Sequence, residues 1–437
     1  MNNTRIVTPT CAQQAWHDLE LGMFIHFDLN TWMPPDWSHR CYENWPSPAV
    51  FNPAKLDTDQ WLEAAEAMGA KYAVLTATHG TGFMLWQSEA YPYGVKQSPW
   101  RDGEGDVVRD FVASCHKYGI QPGLYSHMCV NGHWQVDHPG RVNDGKGGDP
   151  AKQQAYADAR TQALRELWTN YGPLMELWFD GGDPGQDITG VDVVGLLREL
   201  QPNAVLFQGP TSVPNLIRWV GNERGEALYP CWSTAHTGSA EDGLTEMDLS
   251  GDPHGALWVP AECDVALREH TWHWTPDSED RVLSLEHLMG LYYRSVGRNS
   301  NLLINACPNR DGLIPDADVQ RMREFGNEIR RRFATDMPST QGQGEQIELD
   351  LGTPQPINHV IIMEDIAHGE RILAYDLEAL APDGSWQPLC SGSCVGHKRI
   401  EQFGPITTSR IRLTITQVKA EPRVRHLAAH FVPEEEQ

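Results

Sequence analysis

The chain has 437 residues, of which 40% are hydrophobic and 21% are charged, and it carries a formal net charge of −25. Its length predicts two folded units rather than one small core, and no apolar run is long enough to span a membrane. Because so negative a chain is repelled by phosphate backbones and anionic lipid surfaces, we exclude nucleic acid and membranes as partners and expect a neutral ligand.

Short apolar runs alternate with amphipathic segments from about residue 20 to residue 335. Helices are predicted between several of the runs, with Asp57 as one N-cap and with Val108, Phe111 and Cys115 at helical spacing. The alternation predicts a (β/α)8 (TIM-like) barrel, since no GxGxxG or Walker loop supports a nucleotide-binding sheet. The eight predicted strands are 22–27, 72–78, 120–127, 174–181, 204–209, 217–222, 255–262 and 301–308.

A helix predicted over residues 316–333 closes the barrel, and the polar segment "ATDMPSTQGQGEQ" that follows is a connection. The rest of the chain contains short β-rich segments separated by turns, among them "NHVIIMED", "AYDLEAL" and "SRIRLTITQ". This pattern predicts a C-terminal antiparallel β-sandwich. We therefore expect a barrel unit over residues 1–335 and a sandwich over residues 336–437.

The cysteines and the N-terminus bear on the cellular compartment. Nine cysteines are scattered without CxxC spacing, which predicts neither a disulfide framework nor a thiolate zinc site. The opening segment "MNNTRIVTPT" lacks the pattern of a secretory leader, so a cytoplasmic location is expected, or a periplasmic or secreted one if a leader has been removed. Nothing in the sequence predicts the oligomeric state.

Ionisable side chains stand at the predicted carboxyl ends of the strands, where barrels of this type carry their active sites. They are His26, His79, His127, Asp180, Glu223 and Glu262. Any one of these histidines could be a hydrogen-bonded packing residue, but a whole rim of ionisable groups favours a functional site. Many of the 16 tryptophans also stand beside polar residues, as in "NGHW" and "TWHW", and could form flat platforms for a sugar ring.

Asp180 and Glu223 are the preferred catalytic pair, because glycoside cleavage uses two carboxyl groups that flank the scissile bond. Asp180 follows a buried apolar run in "LMELWFDGG", where a carboxylate without a partner or a function would be costly. The alternatives are a turn cap for Asp180 and, for Glu223, a salt bridge with Arg224 or another surface partner. A metal site on His26 and His79 is a further rival, but no HExxH or comparable spacing supports it, and we predict neither a metal nor another cofactor.

Nine segments of the chain form a longer pattern. They are, in order, "LGMFIHF", "FNPAKLDTDQW", "KYAVLTATHGTGFMLWQSE", "SPW", "TNYGPLMELWFDGG", "VLFQGP", "RWVGNERG", "PAECDV" and "NLLINACPNRDGLIP". This series resembles the α-L-fucosidases of glycoside hydrolase family 29, over most of residues 16–335. "RWVGNERG" and "PAECDV" are most similar to the subfamily that prefers α-1,3/1,4-linked, branched fucosides, and the last hundred residues resemble a galactose-binding-like sandwich that is common there.

The resemblance implies a retaining exo-α-L-fucosidase that releases terminal L-fucose from a fucosylated oligosaccharide or glycoconjugate. It implies that Asp180 is the nucleophile, with glycines after it that leave room for the sugar, and that Glu223 is the acid/base. It also implies that His26 and His79 bind sugar hydroxyls and that Trp37 lies beside the substrate. The remaining candidate substrate-binding residues are Asp36, Trp86, Tyr125, His127, Trp178 and Glu262.

The chain departs from the family pattern at the predicted sugar pocket. "HGTGF" stands where the family usually has "HHDGF", so that Gly80 and Thr81 replace a histidine and an aspartate, and Asp28 replaces a glycine. Asp36-Trp37-Ser38 likewise replaces a Glu-Trp-Gly sequence. Because the lost histidine removes a hydrogen-bonding group, sugar recognition is expected to change. The open alternatives are a pocket for a substituted fucose or an α-L-galactoside, sugar binding without catalysis, and compensation by Asp28, Thr81, His127 or His133.

Overall fold

The computed structural model describes residues 6–34, 45–143, 148–236, 249–333 and 337–433. Its larger part is a closed barrel of eight parallel strands, in which each strand pairs with its neighbours along the chain and the last pairs with the first. The (β/α)8 (TIM-like) fold predicted from the alternating runs is therefore confirmed. The strands are β1 (Leu21–Ile25), β2 (Tyr72–Thr78), β3 (Gln121–Ser126), β4 (Glu176–Trp178), β5 (Val205–Phe207), β6 (Leu216–Trp219), β7 (Ala261–Ala266) and β8 (Ser300–Asn305).

Helices surround the barrel and bury their apolar faces against it. In the second helix, Asp57 is the N-cap and accepts the Asp59 backbone N–H at 3.0 Å, as predicted. None of the helices in the described part of the chain combines the length and apolar character that a bilayer crossing needs. The helices are α1 (Cys11–His17), α2 (Thr58–Met68), α3 (Val107–Lys117), α4 (Pro150–Thr169), α5 (Gln186–Thr189), α6 (Val193–Leu200), α7 (Leu285–Arg294) and α8 (Asp316–Arg332).

The seventh strand differs from the prediction, because β7 begins at Ala261 and not at residue 255. The apolar residues before it, Leu257–Trp258, pair instead with Thr234–Ala235 in a separate two-stranded ribbon. Their apolar character therefore reflects packing of the ribbon outside the barrel sheet. As a consequence, Glu262 lies near the start of β7 rather than at its carboxyl end.

The C-terminal part is one six-stranded antiparallel sheet, which confirms the predicted fold class. Its two long strands each join segments that the sequence predicts as separate strands, because pairing continues past register shifts such as the one between Asp350 and Gln355. The predicted division at residues 335 and 336 lies outside the described residues and stays a prediction. The strands are β9 (Ser339–Gln343), β10 (Gln346–Glu364), β11 (Ile372–Leu380), β12 (Trp386–Gly392), β13 (Arg399–Val418) and β14 (Arg423–His430), in the spatial order β9, β14, β10, β13, β11, β12.

The sheet contacts the barrel at the end where the barrel strands begin. His17 and His397 stack with their ring centroids 4.5 Å apart, and Asp18, just before β1, accepts a hydrogen bond from His397 at 2.8 Å. Asn299, just before β8, donates to Glu370 at 2.6 Å. The predicted site lies at the opposite end of the barrel, where the strands end.

Candidate active site

The carboxyl ends of the barrel strands surround a cavity of about 450 Å³, which we call the rim cavity. This volume is in the range of pockets that bind small ligands. Six of the predicted site residues line it: His26, His79, Tyr125, Trp178, Asp180 and Glu223. Further residues that the sequence analysis did not assign to the site line it too, among them Phe24, Asn30, Asp264 and His273, and Trp272 of the "TWHW" segment also lines it.

Asp180 follows β4, and two buried side chains hold one of its carboxyl oxygens. The Tyr125 hydroxyl donates to Oδ2 at 3.0 Å, and burial, with the charge of Asp180, raises the pKa of Tyr125 well above its ordinary value, so the hydroxyl remains a donor. His127 Nδ1 accepts the Val130 N–H at 3.3 Å, which places the proton of the neutral ring on Nε2, 3.6 Å from the same Oδ2. The Asp180 side chain is 48% exposed.

The two glycines after Asp180 have a structural role of their own, and the room for the sugar that the resemblance implies stays a prediction. Gly181 and Gly182 have φ angles of +69° and +78°, in the left-handed region that favours glycine. A Cβ on Gly182 would lie 2.8 Å from the Gln208 carbonyl oxygen, and one on Gly181 would lie 3.2 Å from Cys129 Sγ. These glycines therefore allow a tight turn against the protein's own atoms.

Glu223 lies in the loop after β6, and the next barrel loop holds it in place. Trp272, in the loop after β7, donates its indole N–H to Glu223 Oε2 at 2.9 Å. Asn305, the last residue of β8, donates in turn to the Trp272 carbonyl at 3.1 Å. The predicted alternative for Glu223, a salt bridge with Arg224, is not the contact that the structure gives.

Aromatic rings form the base of the rim cavity. Trp178 stacks on Phe207 with centroids 3.9 Å apart and an interplanar angle of 11°, and it lies 5.3 Å from Tyr125 and 5.1 Å from Phe24. Both Tyr125 and Phe24 are buried. An apolar platform edged by hydrogen-bonding groups suits a sugar ring, whose faces carry C–H bonds and whose rim carries hydroxyls.

His26 and His79 lie together on the rim. His26 Nδ1 donates to Asn305 Oδ1 at 2.8 Å. Burial above all, and then the charge of His273, lowers the pKa of His26 to about 3, so this ring is neutral near pH 7 and its Nε2 is an acceptor. The His79 ring stacks on Tyr125 at 5.4 Å. Two imidazoles in one small cavity can hydrogen-bond sugar hydroxyls, as the resemblance implies.

Asp264 is an acidic residue in the rim cavity that the sequence analysis missed. Its side chain is buried, and its Oδ1 accepts the Trp219 indole N–H at 2.7 Å. Burial above all raises the pKa of Asp264 well above its ordinary value, with the charges of Glu262 and Glu223 acting in the same direction. The signal was present in "PAECDV", because Glu262 and Asp264 alternate along β7 and therefore face the same side of the strand.

A second cavity of about 580 Å³ adjoins the rim cavity on the β5 and β6 side. The two cavities have four lining residues in common: Trp178, Asp180, Glu223 and Asp264. Gln208, Arg218 and Trp219 line only the second one. Both candidate catalytic carboxyl groups therefore lie where the two cavities meet.

Several predicted site residues do not line the rim cavity. Trp86 is fully buried away from it and donates to Glu166 at 2.9 Å. His133, proposed as a compensating residue, stacks between Tyr91 and Tyr93, with centroids 5.2 and 4.8 Å away. Asp36 and Trp37 lie outside the described residues.

The predicted position of Glu262 in the pocket is wrong, because this residue lies inside the barrel beneath Trp178. Its carboxyl group accepts the Tyr72 hydroxyl at 2.6 Å and the Trp178 indole N–H at 3.0 Å. Glu176, equally buried, lies beside it, and its Oε1 has no hydrogen-bond partner unless it carries a proton. Burial raises the pKa of Glu262 to about 7 and that of Glu176 well above its ordinary value, so one proton is shared between the two carboxyls near neutral pH.

We expect Glu262→Ala to lower the free energy of unfolding by about 3 kcal/mol or more, because two buried donors, on Tyr72 and Trp178, lose their acceptor. Glu262→Gln keeps one oxygen and should lose less. Urea unfolding of the two variants checks the difference. A Glu262→Ala protein with unchanged stability and a raised KM would contradict the buried role and restore direct contact with the substrate.

Asp28, His79 and His273 bring possible metal-ligand atoms within 4.8 Å of one another, in a search of the described residues. Their hydrogen bonds argue for another use. Asp28 accepts from the Asn30 N–H, from Thr81 Oγ1 and from His273 Nε2, and the Asn30 amide nitrogen lies 3.5 and 3.4 Å from ring nitrogens of the two histidines. This arrangement favours a hydrogen-bonded cluster over a metal centre, and the expectation of a metal-independent enzyme stays a prediction.

Paired carboxyl groups at this rim suit glycoside hydrolysis, and comparison with known proteins gives that class, the glycoside hydrolases. The family model described as alpha-L-fucosidase matches residues 3–331. The chain therefore belongs to the α-L-fucosidase family, glycoside hydrolase family 29.

Individual relatives agree with this assignment over nearly the whole chain. Alpha-L-fucosidase 1 of Arabidopsis thaliana is 32% identical over 467 residues, which cover 97% of this chain and 87% of the plant protein. A crystal structure of a candidate α-L-fucosidase from Bacteroides thetaiotaomicron is 39% identical with a TM-score of 0.92, over 98% of this chain and 100% of that chain. A Ruminococcus gnavus GH29 fucosidase, solved in complex with fucose, is 24% identical with a TM-score of 0.83, over 98% and 95% of the two chains, and shares the fold.

Proposed function

We propose that this chain is a retaining exo-α-L-fucosidase that hydrolyses terminal α-1,3- or α-1,4-linked L-fucose from branched oligosaccharides or glycoconjugates. The observation that carries the proposal is that Asp180 and Glu223 line both the rim cavity and the cavity beside it. A sugar in the rim cavity and its leaving group in the second cavity would therefore be joined next to two carboxyl groups. The fucose complex of the R. gnavus relative supports fucose as the sugar, and "RWVGNERG" and "PAECDV" support the linkage.

In the first step of the proposed mechanism, an oxygen of Asp180 attacks the anomeric carbon as the bond from that carbon to the leaving oxygen breaks. Glu223 gives its proton to the leaving oxygen, and the aglycone departs as a neutral alcohol. The Tyr125 hydroxyl and the His127 ring hold Asp180 Oδ2, which orients the attacking carboxylate. The product of this step is a covalent glycosyl-enzyme on Asp180.

In the second step, water attacks the anomeric carbon from the side that the aglycone has left. Glu223, now deprotonated, takes a proton from this water as the bond between the sugar and Asp180 breaks. Two inversions give net retention, so the first product is α-L-fucose. The Trp272 indole N–H, which donates to Glu223 Oε2, holds this carboxyl group in place through both steps.

The test is proton NMR of the enzyme with a Lewis-type trisaccharide that carries α-1,3- or α-1,4-linked fucose. Appearance of free α-L-fucose before its β-anomer is the expected result. Appearance of the β-anomer first would contradict the retaining mechanism. Release of L-galactose from an α-L-galactoside, with no release of fucose, would instead support a pocket changed at Gly80 and Thr81, and calorimetric binding of sugar with no product would support a carbohydrate-binding protein.

A further inference from the structure

His273 is one of the rings that the loop after β7 brings to the rim cavity. Its side chain is 14% exposed, and it lines the same cavity as Asp180 and Glu223. Its ring centroid lies 4.9 Å from that of His79 and 5.3 Å from that of His26. The mechanism proposed above makes no use of this third imidazole.

The loop that carries His273 is fixed at its base. Arg268, which is 4% exposed, donates its Nε–H to both carboxyl oxygens of Asp318 at 3.0 Å, in the first turn of α8. Arg268 also donates to the Ser278 hydroxyl at 2.7 Å, on the far side of the loop. Because this buried arginine joins both ends of the loop to α8, His273 is held in the cavity by packed structure.

Asp28 orients the His273 ring. His273 Nε2 lies 3.2 Å from Asp28 Oδ1, and the Asp28 side chain is fully buried. Burial by itself would raise the pKa of Asp28, but the hydrogen bond and charge of His273, the Asn30 N–H and the Thr81 hydroxyl lower it below its ordinary value. An ionised Asp28 keeps a proton on Nε2, so the other ring nitrogen, Nδ1, is left to interact with a ligand.

The contacts of Asp28 connect positions at which the chain departs from the family pattern. Asp28 Oδ2 accepts the Thr81 hydroxyl at 2.9 Å. The histidine and aspartate that the family pattern has at positions 80 and 81 are glycine and threonine here, whereas His273 and Asp28 supply a histidine and a carboxylate from two other loops. An imidazole that lines the rim cavity and a buried carboxylate that contacts it therefore come from different places in the chain.

We propose that His273, positioned by Asp28, contacts the substrate in the rim cavity and helps to select the sugar by hydrogen-bonding one of its ring hydroxyls. The inference rests on the proposed glycosidase function and adds to it a residue that determines specificity. His273 is assigned to direct contact, because it lines the cavity. Asp28 is a positioning residue, because it acts through the ring and through Thr81.

The test compares His273→Ala with wild type on aryl α-L-fucosides that lack, in turn, the 2-, 3- or 4-hydroxyl. On the complete sugar we expect kcat/KM to fall by about 10- to 100-fold, the effect of one lost hydrogen bond in a buried site. On the one analogue that lacks the contacted hydroxyl, variant and wild type should agree within about threefold, since neither can form the bond. Equal losses on all the analogues would overturn direct contact.

Controls distinguish this role of His273 from an effect on folding and from a failure of the proposed glycosidase function. His287→Ala, an exposed histidine on α7, should leave kcat/KM unchanged. His273→Gln keeps hydrogen-bonding atoms and should recover part of the loss, and Asp28→Asn should show the same dependence on one hydroxyl. If wild type cleaves no fucoside, the proposed function fails. Calorimetry with L-fucose and L-galactose then tests whether His273 contacts the sugar. Weaker binding by His273→Ala than by wild type would support the contact, and equal binding would overturn it.

Discussion

Replacing Asp180 by alanine is expected to lower kcat/KM for an aryl α-L-fucoside on the order of 10⁴-fold, because the variant has no group to form the glycosyl-enzyme. Stability should change little, since the Asp180 side chain is 48% exposed. Steady-state kinetics and urea unfolding measure the two quantities. Asp187→Ala, an exposed carboxylate a few residues along the chain, is the matched control and should behave as wild type.

A second measurement on the same variant identifies the role of Asp180. Azide can enter the space that the carboxylate leaves and attack the anomeric carbon directly, in a single inversion. Restored turnover with formation of a β-L-fucosyl azide would mark Asp180 as the nucleophile. An Asp180→Ala protein that keeps activity within about tenfold of wild type would contradict the assignment, because loss of a covalent nucleophile costs far more.

Replacing Glu223 by alanine is expected to produce a loss that depends on the leaving group. For a Lewis-type trisaccharide, whose leaving alcohol needs a proton, kcat/KM should fall about 10³-fold, in the range of general acid catalysis. For a 2,4-dinitrophenyl fucoside, which departs without protonation, the fall should be less than about tenfold. Kinetics with the two substrates check this, with Glu286→Ala on α7 as an exposed control. Equal losses on both substrates would argue against an acid role for Glu223.

The sequence predicts the barrel and most of its rim, because both follow from local patterns. Alternating apolar runs define the strands, and the residue that ends each run lies at the rim of a parallel barrel. His26, His79 and Asp180 are each found just beyond a strand in this way. Their roles stay predictions, since placement alone does not test chemistry.

The residues that the sequence missed depend on contacts between distant parts of the chain. His273 reaches the cavity through a loop whose path is set by Arg268 and Asp318, fifty positions apart. Asp264 was missed because the apolar run before Pro260 is more strand-like than the polar inner face of β7. Local periodicity was used to report apolar burial, so the alternation of Glu262 and Asp264 in "PAECDV" was not recognised as a strand.

The position of the C-terminal sheet has a consequence for long substrates. The sheet touches the barrel where β1 and β8 begin, and a six-residue strand such as β8 spans about 20 Å from there to the rim. A polymer tethered by the sheet would have to run along the outside of the barrel before one of its branches entered the rim cavity. If the sheet tethers a polymer, substitutions on its outer face would change where the protein is tethered and leave the rim cavity unaltered.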